Sequence, residues 1–186
     1  MCIRDSAYIG RGTAYLYLKD TVRALENFDQ AIRTNRENPN GYYQRGTLLL
    51  QKEEYARAEA DFDMSIRCDS AFLPPYFNRA VVYSNTNRPM QALADFDRVL
   101  QLDSTNSFTY FNRAILRTQI GDYNRALDDF DRVALYSPGN VQVYYLRAML
   151  KTRLGDLEGA ERDYTRAIEL YPDFANAYLN RSALRY

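Results

Sequence analysis

Six arginines, Arg11, Arg45, Arg79, Arg113, Arg147 and Arg181, stand thirty-four residues apart along the chain. Two columns of carboxylates keep step with them: Asp61, Asp95, Asp129 and Asp163 in one, and Asp29, Asp63, Asp97 and Asp131 in the other. A guanidinium is a rigid planar fork of N–H donors that fits a carboxylate or a phosphate through two parallel hydrogen bonds. The arginines could therefore form a ladder for an acidic or phosphorylated ligand, or they could pair with the chain's own aspartates. Close to one carboxylate or more stands in register for each arginine, so pairing between helices is the better supported reading. An exposed pair of this kind contributes only about 0–1 kcal/mol, whereas breaking a buried one costs about 3–5 kcal/mol. Arg45, Arg79, Arg113, Arg147, Asp63, Asp97 and Asp131 are thus expected to set spacing and register.

Other chemistries lack their side chains. Histidine is absent and the only cysteines are Cys2 and Cys68, so neither a zinc site nor a histidine-based triad can be assembled. Ser104, Ser107 and Ser137 read as turn residues, and no glycine-rich phosphate loop accompanies them. No catalytic residue, metal or cofactor is expected. Basic and acidic residues balance at 24 each, which leaves no net field to draw the chain to nucleic acid or an anionic membrane. No apolar run approaches the roughly 18–20 residues that span a bilayer, so membrane insertion is not expected and the chain reads as soluble. The compartment is left open.

The elements that must position the arginines repeat at the same interval. Tyr8, Tyr42, Tyr76, Tyr110, Tyr144 and Tyr178 precede each arginine by three residues, and Gly12, Gly46, Ala80, Ala114, Ala148 and Ser182 follow it. With tyrosine at position four, the repeats run 5–38, 39–72, 73–106, 107–140 and 141–174, with part of a sixth in 175–186. Alanine at twenty, an aromatic at twenty-four (Phe28, Phe62, Phe96, Phe130, Tyr164) and a small or β-branched residue at twenty-seven give each repeat a second helical pattern. Gly121-Asp122 and Gly155-Asp156 supply a left-handed residue and a cap between the two helices, and Asn87 can take the first role in its repeat. Pro89 suits a helix's opening turn. The fold class that follows is all-α, a stack of helix hairpins in which small residues let backbones approach and rings fill the space beside them.

Met1 to Ser6 back-translates to a transposon mosaic end used as a sequencing adapter, so 1–6 is expected to be a non-native scar ahead of a single array over 7–186. The partial sixth repeat is expected to expose a face open to end-to-end self-association.

These columns resemble the tetratricopeptide repeat, whose pattern asks for aromatics at four, eleven and twenty-four, small residues at eight, twenty and twenty-seven, and often proline at thirty-two. Pro138 and Pro172 keep that proline, and arginine replaces the leucine usual at seven. The runs Tyr76-Phe77-Asn78-Arg79-Ala80 and Tyr110-Phe111-Asn112-Arg113-Ala114 resemble the Asn-Arg-Gly/Ala subclass of that family. The resemblance implies a right-handed superhelical α-solenoid with a concave groove lined by the first helices. It places Gln44, Asn78, Asn112 and Asn180 at position six of that lining, with Gly10 and Leu146 interrupting them. Tyr43, Phe77, Phe111 and Tyr145 come at position five, Ile115 and Met149 at nine, and Gln119 and Arg153 at thirteen.

The implied lining is amide and aromatic, almost without charge. Family members that clamp a chaperone's C-terminal carboxylate need lysine at two and five and arginine at six, which this chain lacks. An asparagine offers a donor and an acceptor, so it can pair with an extended peptide's backbone without demanding a sequence. A similar asparagine ladder occurs in the enzyme that adds N-acetylglucosamine to serine and threonine. The rival role for these amides is to solvate the face or brace a neighbouring helix. The resemblance implies a non-catalytic scaffold for a protein or peptide partner. The alternative is the substrate-targeting arm of a larger enzyme, such as a glycosyltransferase or a kinase, whose catalytic domain lies outside this fragment. A near-absence of cations in the lining counts against a helical-repeat RNA reader.

Overall fold

The computed structural model of the chain describes residues 3–184, and among them it contains eleven helices and no strand. The first helices of the repeats are α1 (Ile3–Tyr17), α3 (Pro39–Gln51), α5 (Leu73–Asn85), α7 (Ser107–Gln119), α9 (Val141–Leu154) and α11 (Ala175–Ala183). The second helices are α2 (Thr21–Thr34), α4 (Tyr55–Cys68), α6 (Pro89–Leu102), α8 (Tyr123–Tyr136) and α10 (Leu157–Leu170). From α3 onward the first helices begin thirty-four residues apart, and the second helices do so throughout. The described residues fall into two compact blocks, α1–α6 and α7–α11, divided after Leu102.

Within each block, packing follows the size of the side chains. Phe28, Phe62, Phe96, Phe130 and Tyr164 are fully buried, and so are Ala24, Ala58, Ala92, Ala126 and Ala160 four residues before them. Burial of each ring is worth about 1.5–3 kcal/mol by area removed from water. The facing residue of the first helix must be small: a Cβ added at Gly46 would lie 2.9 Å from Cε1 of Phe62. In the later repeats Ala80, Ala114 and Ala148 occupy this place without exposure.

The turn inside each hairpin needs one left-handed residue. Gly121 (φ 83°) and Gly155 (φ 84°) supply it as expected, and so does Asn87 (φ 56°). In the first two repeats Lys19 (φ 59°) and Glu53 (φ 60°) adopt the same conformation, which the strain on a Cβ makes costly. Pro89 opens α6 as expected. Asp156 caps α10 by accepting from the Gly159 N–H, but Asp122 makes no side-chain cap, and its carboxylate lies 3.5 Å from Arg125 instead.

Between repeats, the Tyr76 and Tyr144 hydroxyls donate to the carbonyls of Ser70 and Pro138, six residues back, and fix the entry into the next hairpin. Helix α1 already includes Asp5 and Ser6; Asp5 is fully buried and accepts hydrogen bonds from the side-chain amides of Asn38 and Asn35. Those bonds, led by the one from Asn38, hold its carboxyl below the ordinary range against the opposing effect of burial. Met1 and Cys2 lie outside the described residues, as does Tyr186.

Candidate functional site

Within each block, position seven of α3, α5 and α9 sits where a first helix faces the second helices of its own repeat and of the repeat before it. Arg79 on α5 donates from Nε and Nη2 to the two oxygens of Asp95 on α6, at 2.8 and 2.7 Å, and from Nη1 to Asp63 on α4, at 2.5 Å. Arg45 spans Asp61 and Asp29 in the same way, and Arg147 spans Asp163 and Asp131. Arg113 holds Asp129 with two bonds, at 2.9 and 2.6 Å. Asp97, half-buried on α6, occupies the place equivalent to Asp63 and Asp131. Hydrogen bonding to Asp95 raises the Arg79 guanidinium above the usual arginine range, outweighing burial, and Asp63 adds to it. Tyr8, Tyr76, Tyr110, Tyr144 and Tyr178 at position four each lie beneath their arginine: ring centroid to guanidinium carbon is 5.8 Å for Tyr76 and Arg79 and 5.4 Å for Tyr144 and Arg147, within the range of cation–π attraction. With Nε, Nη1 and Nη2 all engaged, an incoming phosphate would have to displace an internal carboxylate that already makes two bonds.

Two cations of this network lie outside the pattern read from sequence. Position eleven carries Arg117 and Lys151, where the related repeats ask for an aromatic; Arg117 adds a bond to Asp129 at 2.8 Å, and Lys151 approaches Asp163 to 2.8 Å. The available signal was helical spacing, since each lies one turn beyond Arg113 or Arg147 on the same face. In the first repeat Asn27 replaces the aspartate, and Arg11 keeps a bond to its amide oxygen.

The residues expected to line a groove divide by contact. At position five, one side of each ring is taken up by the core: Phe77 lies 5.5 Å from Phe96, Phe111 6.2 Å from Phe130, and Tyr145 6.0 Å from Tyr164 and 4.7 Å from Phe174. Tyr43 packs edge-on against Phe72 at 5.4 Å. At position six, the Asn78 amide donates to the Thr47 hydroxyl of the preceding first helix, and Asn180 donates likewise to the Tyr145 hydroxyl. These two amides brace neighbouring first helices. Asn112 donates to the Phe108 carbonyl of its own helix, and Gln44 is half-buried on α3.

In the block of α7–α11 an apolar cavity of about 220 Å³ opens where the amide run is interrupted. Ile115, Thr118 and Gln119 of α7 face Leu146, Met149 and Arg153 of α9 across it, with the buried Phe130 and Leu150 beneath. Arg153 is exposed, and its guanidinium carbon lies 4.7 Å from the centroid of the Tyr123 ring. Among the described residues no group of three or more His, Cys, Asp or Glu side chains could hold a metal, and no helix is long and apolar enough to cross a membrane.

Three family models, each described as tetratricopeptide repeat, match residues 9–71, 73–106 and 141–174. No curated protein matches the chain significantly by sequence. Among solved structures it is similar to YrrB, described as a TPR protein with an unusual peptide-binding site, with TM-score 0.79 and 22% identity over 94% of this chain and 90% of that one. It is also similar to MamA from Desulfovibrio magneticus, with TM-score 0.83 and 16% identity over 94% and 99% of the two chains. A tetratricopeptide repeat protein from Parabacteroides merdae gives TM-score 0.81 and 22% identity over 97% of this chain and 72% of that one. At these identities the likeness speaks for the fold, an all-α helical repeat solenoid.

Proposed function

The chain belongs to the tetratricopeptide repeat family, and from that premise we propose that it is a non-catalytic protein-interaction scaffold that holds an extended peptide against its first helices. The observation that carries this reading is how the polar groups of those helices are used. Arg45, Arg79, Arg113 and Arg147 are committed to internal aspartates, whereas the amides of Asn78 and Asn180, one residue before the arginine, are braced by the preceding first helix. An asparagine so braced is held in one orientation, which lowers the entropy lost when a peptide backbone binds to it. Packed helices lie about 8–10 Å apart and an extended chain advances about 3.3–3.6 Å per residue, so within a block one amide per repeat meets roughly every third peptide residue. The peptide-binding site named for YrrB is a property of that protein, and it adds support by showing what this fold can do.

The test is capture from an immobilised library of extended peptides by the parent protein and by the Asn78→Ala/Asn112→Ala variant. The variant is expected to retain its helical signal and to capture several-fold less peptide. Equal capture would remove these asparagines from the site.

A further inference from the structure

We propose that the cavity between α7 and α9 anchors one large apolar side chain of the bound peptide, and that Arg153 at its rim selects peptides carrying an aspartate or glutamate beside that anchor. This rests on the peptide-binding reading above and specifies the ligand. The cavity's volume of about 220 Å³ falls below the roughly 300–1,000 Å³ of small-molecule pockets and above the roughly 150 Å³ that accepts a benzene ring. It therefore has the capacity for one leucine, methionine or phenylalanine side chain. Its walls are apolar because Leu146 stands where Asn78, Asn112 and Asn180 stand in other repeats, and Met149, 44% exposed, brings an unbranched side chain that adapts to varied shapes.

Charge then chooses among apolar peptides. No carboxylate lines the cavity. The other cations of these helices are matched: Arg113 and Arg117 by Asp129, and Arg147 and Lys151 by Asp163. Among the described residues Arg153 has no carboxylate partner, and its guanidinium sits over the Tyr123 ring, a contact that uses none of its N–H donors as a carboxylate would. In an extended peptide, residues two apart face the same side, so an acidic side chain two positions from the anchor reaches the same wall.

The experiment is selection from a display library of random heptapeptides with blocked C-termini, followed by fluorescence anisotropy on one selected, labelled peptide. The parent protein is expected to recover peptides that share an apolar residue and an Asp or Glu within two positions. Arg153→Glu is expected to recover the same apolar residue with Lys or Arg in place of the acid, and to weaken the original peptide at least tenfold. Arg153→Gln should weaken it less, and Arg132→Glu, on the exposed side of α8, should leave it unchanged; circular dichroism confirms that each variant is folded. Absence of an acidic preference, an Arg153→Glu effect no larger than that of Arg132→Glu, or binding that needs a free peptide C-terminus overturns the proposal. If peptides still bind and depend on Asn78 and Asn112 but ignore Arg153, only this inference falls. If no peptide binds at all, the peptide-binding reading falls with it.

Discussion

Replacing Arg79 by methionine isolates the energetics of the internal ion pairs. The side chain of Asp95 is 8% exposed and that of Arg79 18%, so the substitution strands a carboxylate that water can barely reach. Removing one partner of a buried pair costs about 3–5 kcal/mol, while replacing both by apolar groups of similar size is close to neutral. Arg79→Met is therefore expected to lose about 3–5 kcal/mol in urea denaturation, and Arg79→Met/Asp95→Leu to recover most of it, giving a double-mutant coupling of several kcal/mol. Asp63, the third member, is 39% exposed and remains solvated.

The pH dependence supplies an independent check. In the parent, burial pushes the Asp95 carboxyl above its ordinary value, Arg79 pulls it down, and the nearby Asp63 and Glu59 push it up. Without Arg79 it rises further, so the folded variant takes up a proton more readily than the unfolded chain as pH falls. The deficit of Arg79→Met should accordingly narrow between pH 7 and pH 5. Equal losses in the single and double variants, or a deficit that stays constant with pH, would refute the reasoning.

Three further outcomes follow from the packing. Phe130→Ala should cost about 3–5 kcal/mol by calorimetry and abolish selection of the apolar anchor, because Phe130 forms part of the cavity. Gly46→Ala should destabilise by about 1–3 kcal/mol through its clash with Phe62, whereas Ala80→Gly in the next repeat should cost only about 1 kcal/mol of helix propensity; chemical denaturation separates the two. Glu53→Gly should gain up to about 1 kcal/mol by relieving a left-handed residue, and Gly121→Ala should lose about 1 kcal/mol, both read as shifts in the urea midpoint.

Legibility in the sequence tracked how strictly physics restricts each position. The alanine and phenylalanine columns could be read because only one combination of sizes lets two helices approach, and each hairpin meets that demand again. The arginine and aspartate columns could be read because opposite charges recurred in phase. What escaped had several chemical solutions: Lys19 and Glu53 adopt the left-handed turn without the glycine or asparagine that announces it, and Arg117 and Lys151 fill a position that elsewhere holds Tyr15, Leu49 or Tyr83. The aromatics at position five read as lining, yet an aromatic ring presents two faces and the core claims one of them. Leu146 looked like a gap in a row of amides; only coordinates show that it borders a cavity.

Each arginine at position seven in α3 and α5 draws one carboxylate from behind and one from its own hairpin, and this bears on how such a chain can change length. Excision of 39–72 takes out Arg45 together with Asp61 and Asp63, and brings Arg79 into phase with Asp29 while it keeps Asp95. Within the arginine–aspartate ladder no charge is orphaned at the seam, but Arg88 loses Glu59, its carboxylate partner on α4. Duplication of the same segment inserts a cation along with both of its acceptors. Recombination in multiples of this period thus preserves the arginine–aspartate ladder, whereas an insertion inside a helix that breaks its phase would strand one of the ladder's guanidinium or carboxylate groups.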